Sequence, residues 1–147
     1  ISSSRGGIYL LHKGCHMLKI KIIIYSMDFD CEVILPLYTK NNKHYIDVSV
    51  PCEYTETIRR IHNELRSGVH FQDPLEGSVL KVKVPHRNNR VACKVIGLTP
   101  VQELARGDRV WVDLKFCGLW KAGDYRGVSW KLNLIETPTT VGPRAYR

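Results

Sequence analysis

Aromatic and cationic side chains alternate in one stretch of the sequence, from residue 109 to residue 131, which contains all three tryptophans of the chain. Flat rings stack on unpaired bases while cations follow the phosphates, so single-stranded nucleic-acid binding needs both types side by side. We interpret three rings as stacking candidates: Trp111, Trp120 and Tyr125. The candidate phosphate contacts are Lys81, Lys83, Arg109, Lys115, Lys121, Arg126 and Lys131.

The alternation of apolar residues assigns these rings to different faces. In the predicted strand from Arg109 to Cys117, Trp111 lies opposite the apolar face, to which Phe116 belongs. Trp130 shares its face with apolar neighbours and is expected in the core. Trp120 and Tyr125 fall in a glycine-rich loop that predicts a flexible aromatic finger. The alternative is that all these rings simply pack the interior of a barrel.

The chain has 147 residues and a formal net charge of +8. The excess lies mainly in residues 69–147, with 13 basic and 7 acidic side chains, against 9 and 7 in residues 1–68. Such an excess favours a polyanionic partner, because basic groups displace the counterions of phosphates. No apolar stretch reaches the roughly 18 residues of a membrane-spanning helix. We therefore expect no membrane partner.

Period-two alternation predicts a mostly β fold of about seven short strands. The predicted strands are Leu18–Tyr25, Cys31–Tyr38, His44–Val50, Val79–Val84, Val91–Ile96, Arg109–Cys117 and Val128–Glu136. One helix is predicted at 55–67 and a short helical turn at 100–105. The expected organisation is a flexible segment at 1–17, a single domain at 18–136 and a disordered tail at 137–147. A small Greek-key barrel with one flanking helix covers its sheet edges, and a β-sandwich is the alternative.

The stretch from Gly107 to Trp120, followed by Gly127 to Ile135, resembles the last hairpin of OB-fold single-stranded-DNA-binding proteins. It is most similar to the divergent members encoded by large DNA viruses, phages and mobile elements. The resemblance covers residues 78–136. It implies an OB-like barrel, binding without sequence preference, and work in replication or recombination. By position, it implies that Trp111, Lys115, Trp120 and Lys131 line the groove.

Other chemistries have weaker patterns. His12, Cys15 and His16 form a partial zinc pattern without a second pair of ligands, and no cofactor is expected. Asp28, Asp30 and Glu32 read as an acidic turn, or alternatively as the Mg²⁺ ligands of a nuclease.

The chain has five cysteines and no CxxC pair, so a disulfide framework is not expected. We therefore expect an intracellular protein, in the nucleus or the cytoplasm, and the cell could be a virus-infected one. His62 on the helix and His86 in a turn are expected to face solvent. The function predicted is non-catalytic binding of single-stranded DNA. Two alternatives are RNA binding and a β-rich structural or assembly protein, and a homo-oligomer stays open.

Overall fold

The computed structural model describes residues 7–15, 20–66, 68 and 70–138, with side chains from residue 26 onward. The strands are β1 (Gly7–Cys15), β2 (Ile20–Lys40), β3 (Lys43–Ser49), β4 (Phe71–Gln72), β5 (Leu75–Glu76), β6 (Val79–Lys83), β7 (His86–Arg87), β8 (Arg90–Val91), β9 (Lys94–Ile96), β10 (Arg109–Ala122) and β11 (Tyr125–Glu136). Helix α1 spans Cys52–Leu65, and a single 3₁₀ turn spans Val101–Glu103.

Five strands close into a barrel in the spatial order β2, β3, β6, β11 and β10, with β10 returning to β2. All neighbours are antiparallel except β6 and β11, which run parallel and meet at Lys83 and Lys131. Closure removes the free edges that an open sheet of this size would expose. The predicted OB-like barrel with a flanking helix is confirmed.

Strand β2 is one continuous strand, where the sequence predicted two strands separated by an acidic turn. Its apolar side chains at Met27, Phe29 and Cys31 are all buried and alternate without interruption. The carboxylates of Asp28 and Asp30 occupy the opposite face. The prediction of a turn was wrong, because the acidic residues lie on the side of β2 opposite the core and do not interrupt the strand.

Helix α1 begins three residues earlier than the prediction and packs one face against the barrel. Thr55, Ile58, Ile61 and His62 are buried along that face. Ile58 belongs to the barrel core, and the Tyr54 ring lies 5.9 Å from the Phe29 ring. His62 is fully buried, so its expected exposure was wrong. The sequence interval of four between Ile58 and His62 puts both on one helix face.

Two tight turns have the conformation that their asparagines favour. Asn41 and Asn42 join β2 to β3 with φ of 53° and 64°. Asn88 and Asn89 join β7 to β8 with φ of 54° and 62°. Two successive positive φ values are typical of a type I′ hairpin turn, which Asn tolerates better than most residues. Both turns were predicted from the sequence.

The chain ends differ from the expected segments where they are described. Strand β1 lies within the segment predicted to be flexible and pairs antiparallel with residues 20–28 of β2. Thr137, the first residue of the predicted tail, is buried and donates its N–H to the Ile96 carbonyl at 2.7 Å. Residues 1–6, 16–19 and 139–147 lie outside the described residues. Among the helices that are described, none is long and apolar enough to cross a membrane.

Candidate functional site

An open groove of about 570 Å³ lies between the tip of the β10–β11 hairpin and the β2–β3 turn. We call it the aromatic groove. The barrel strands β3 and β6 form its floor, and residues 72–74 contribute one wall. Its lining is Lys40, Asn41, Lys43, Tyr45, Gln72, Asp73, Pro74, Lys81, Lys83, Trp120, Lys121, Ala122, Tyr125, Val128 and Ser129.

Contacts on two sides fix the position of the Trp120 ring on the groove wall. Its Nε1 donates to the Val128 carbonyl at 3.3 Å. A Cβ added at Gly127 would come within 2.6 Å of the Trp120 ring and 2.7 Å of the Gln72 carbonyl. Glycine is therefore required at 127 by the close approach of the indole on one side and β4 on the other. The expected flexible finger is instead a paired end of two strands, with Trp120 opposite Gly127.

Tyr125 is the exposed ring of the groove. Its side chain is 51% accessible, and the His70 ring centroid lies 5.1 Å from its own. It faces Ala122 across the end of the hairpin. An exposed ring beside a half-buried one provides the kind of surface on which unpaired bases stack.

Tyr45 is a third groove ring, and it was not predicted from the sequence. It lies on β3 opposite Lys83 of β6, and the Lys81 ammonium sits 5.2 Å from the centre of its ring. Burial raises the pKa of the Tyr45 phenol, so the ring stays neutral over the physiological range. The Tyr38 ring lies 5.8 Å away and its hydroxyl donates to Asp47 at 2.7 Å.

Five lysines line the groove, and two of them were missed from the sequence. Lys40 and Lys43 flank the Asn41–Asn42 turn, which projects them to the groove rim. The pKa of Lys81 is lowered by burial and then by the nearby Lys40 charge. The Asp47 carboxylate, from the cross-strand partner of Lys81, opposes this shift in part. An anion placed between the ammonium groups would offset both effects, because it favours the charged form of each lysine. The lysines of the groove therefore favour an anionic ligand.

One acidic residue, Asp73, lies in the groove wall, and its carboxylate is already engaged. It accepts from Arg66 at 3.1 Å and from the Leu75 N–H at 2.9 Å. It is also 2.8 Å from Nδ1 of His62. Because Nε2 of His62 accepts from the Trp130 indole at 2.9 Å, Nδ1 is the nitrogen that donates to Asp73. This chain of hydrogen bonds ties the groove wall to the barrel core.

His62 stays neutral within that chain. Burial lowers its pKa, an effect that outweighs the opposing charge of Asp73. The neutral ring can donate at one nitrogen and accept at the other, which matches its two partners. Trp130 is fully buried and packs against Phe116 with ring centroids 4.8 Å apart. The core position predicted for Trp130 is confirmed.

A second, smaller cavity of about 350 Å³ adjoins the aromatic groove, because Lys43 and Lys83 line both. We call it the histidine pocket. Its other lining residues are Asn42, His44, Val84, Pro85, His86, Cys117 and Lys131. Lys131, predicted as a phosphate contact, therefore lies beside Lys83 at the junction of β6 and β11.

Four predicted contacts lie outside the two cavities. Lys115 is the cross-strand partner of Lys131, which in turn lies beside Lys83. Arg126 is the cross-strand partner of Lys121 but is not among the residues that line the groove. Arg109 is the cross-strand partner of Glu32 on β2. Trp111 lies between Asp30 of β2 and Glu136 of β11. About 30 Å of extended strand separates Trp111 from Trp120, so the two rings do not share one platform.

The acidic face of β2 does not form a metal site in the part of the chain that is described. No group of three or more His, Cys, Asp or Glu side chains there is arranged to hold an ion. The Asp28–Glu32 carboxylates alternate along the strand, and Asp113 of β10 lies opposite Asp28. His12, Cys15 and His16, the partial zinc pattern, lie outside the described side chains.

The fold is similar to that of a single-stranded DNA-binding protein from bacteriophage Enc34. A C-terminally truncated form aligns with a TM-score of 0.51 at 11% identity, over 97% of this chain and 99% of that chain. A second structure of the phage protein aligns with the same TM-score at 12% identity, over 95% and 99%. No protein-family model and no curated protein matches the sequence. At this identity, the likeness establishes the shared fold.

Proposed function

We propose that this protein binds single-stranded DNA in the aromatic groove, without catalysis and without sequence preference. The bases stack on Trp120 and Tyr125, and the phosphates meet the lysines of the rim and floor. One observation carries the proposal: a single open groove holds half-exposed rings and five lysines, and its one carboxylate is paired.

The position of the groove on the barrel supports this assignment. OB-folds bind oligonucleotides on the face of their second and third barrel strands, between the first and last hairpin loops. Here those parts are β3, β6, the Asn41–Asn42 turn and the tip of the β10–β11 hairpin. The phage protein with the same fold is a single-stranded DNA-binding protein. Its partner is therefore the first one to test.

The chemistry of the groove supports binding that tolerates any sequence. Every base has a π-face, so stacking on an indole or phenol does not select among bases. Lysine meets phosphate as a point charge, and phosphate contacts position a strand without reading it. We include work in replication or recombination in the proposal, because both expose unpaired DNA.

The test measures the anisotropy of labelled oligothymidylate at two or more salt concentrations. If the five groove lysines and Lys131 all contact phosphates, log affinity falls against log salt with a slope of about −4, from roughly −0.7 per phosphate. Unlabelled duplex competes poorly, since its bases are not free to stack. An oligouridylate arm measures the preference for DNA over RNA. Salt-independent affinity, or equal competition by duplex, would contradict the proposal.

A further inference from the structure

The histidine pocket holds two imidazoles in face-to-face contact. The rings of His44 and His86 are stacked, with centroids 3.6 Å apart and planes inclined by 23°. Nδ1 of His86 is 2.9 Å from the Val84 carbonyl oxygen, which can only accept. The proton of the neutral His86 ring is therefore on Nδ1, and Nε2 is left as the acceptor.

The charged groups around this pair are all cationic. Lys43 and His44 come from β3, Lys83 from the end of β6, and Lys131 from β11. Cys117 of β10 is the remaining titratable group of the lining, and no acidic side chain is among the described residues that form it. Three ammonium groups without a carboxylate form a site for an anion, whereas the acceptor Nε2 of His86 opposes one. Nδ1 of His44 lies 3.2 Å from the Thr39 hydroxyl, which can donate or accept.

We propose that the histidine pocket is a second phosphate subsite for the same DNA strand, and that its occupation draws a proton onto the His44–His86 pair. The inference rests on the proposed function of the aromatic groove. Lys43 and Lys83 line both cavities, so a strand leaving Trp120 across Lys83 enters the pocket directly. The pocket then extends the bound length and makes it sensitive to pH.

Phosphate and a neutral imidazole nitrogen are both acceptors, so the neutral pair cannot donate to the ligand from Nε2 of His86. Protonation turns that nitrogen into a charged donor, and charge-assisted hydrogen bonds are the stronger kind. Two imidazolium ions 3.6 Å apart would repel each other, so the pair takes up about one proton and not two.

The experiment is calorimetric titration of the full chain with an oligothymidylate of about 16 nucleotides, the upper end of OB-fold site sizes. Titrations near neutral pH in two buffers of different ionisation enthalpy count the protons taken up. We expect about one proton per strand, and an affinity that falls by up to about tenfold per pH unit as the pH rises.

His86→Gln and His44→Gln keep a hydrogen-bonding side chain and remove the titration. Each is expected to abolish the difference between buffers while the strand still binds. His70→Gln is the matched control, because His70 is an exposed histidine beside Tyr125 and does not line the histidine pocket. It is expected to leave the proton count unchanged.

The outcomes separate this inference from the proposed function. Strand binding with identical enthalpies in both buffers, or unchanged proton uptake in the double variant of His44 and His86, overturns the proton-linked subsite alone. Loss of proton uptake in His70→Gln assigns the titration to the aromatic groove and overturns it as well. No binding of the strand by the wild-type chain overturns the proposed function, and this inference with it.

Discussion

The two ends of the β10–β11 hairpin contain similar residues in different surroundings. At the tip, Trp120 and Lys121 face a groove with four further lysines. At the base, Trp111 follows Arg109 but lies between Asp30 and Glu136. The groove surrounds Trp120 with lysines, whereas the cross-strand register places carboxylates beside Trp111. A tryptophan next to a basic residue is therefore not by itself a stacking site, because the neighbouring strands decide its electrostatics.

The third tryptophan of the hairpin sharpens this comparison. Trp130 is fully buried and donates its indole N–H to His62, which bridges to Asp73 in the groove wall. One hairpin thus carries a core tryptophan, a groove tryptophan and a tryptophan on an acidic face. Substitution of each should affect a different measurement.

The largest effect is expected for Trp130→Ala, which should lower the free energy of unfolding by about 3–5 kcal/mol. The variant leaves a cavity beside Phe116 and removes the donor to Nε2 of His62. Chemical denaturation measures the loss. A loss below about 1 kcal/mol would contradict the buried position of this ring.

Trp120→Ala should weaken binding of oligothymidylate by about 1–3 kcal/mol, the range for loss of one base–aromatic stack. Leu119→Ala is the matched control on the same strand. Leu119 is 55% exposed and does not line the groove. Equal losses of binding free energy in the two variants would contradict stacking on the indole, because they would attribute the effect to the hairpin tip as a whole.

Lys83→Gln should reduce the salt slope of binding by about 0.7, the value for one phosphate contact in a single strand. Arg126→Gln removes the same charge at a residue that does not line the groove and should leave the slope nearly unchanged. Anisotropy titrations at several salt concentrations measure both. A larger change with Arg126→Gln would place the strand outside the aromatic groove.

The smallest effect is expected for Trp111→Ala, which should change the affinity for oligothymidylate less than about twofold. Trp111 is far along β10 from the groove, and distant substitutions usually act independently. Its acidic neighbours also repel phosphates. A loss as large as that of Trp120→Ala would mean that the strand crosses the base of the hairpin.

The barrel could be predicted because its residues alternate strictly. Val110, Val112 and Leu114 are buried as the period-two pattern requires, and the same pattern separated Trp130 from the groove residues. Asn41 and Asn42 marked a turn correctly. Alternation predicts which face of the sheet a residue occupies, but it does not predict which strand lies beside that residue. The acidic residues Asp30 and Glu136 beside Trp111 come from β2 and β11, which are distant in sequence from it.

The groove was predicted only in part for the same reason. Lys81, Lys83, Trp120, Lys121 and Tyr125 were found from their types and local phase. Lys40, Lys43 and Tyr45 were missed, because only barrel closure brings the β2–β3 turn opposite the hairpin tip. A turn flanked by two lysines was the available signal. Burial of His62 also depends on a distant residue, since its acceptor role needs the Trp130 indole.

The most direct test uses the Trp111→Phe chain, in which Trp120 is the one partly exposed indole among the described residues and Trp130 is buried. Tryptophan emission is followed as poly-dT is added, with duplex DNA as the comparison and anisotropy of the same polymer as an independent measure of binding. We predict quenching by poly-dT that follows the anisotropy curve, and little quenching by duplex. Saturated binding of poly-dT with unchanged emission would contradict a stacked base on Trp120.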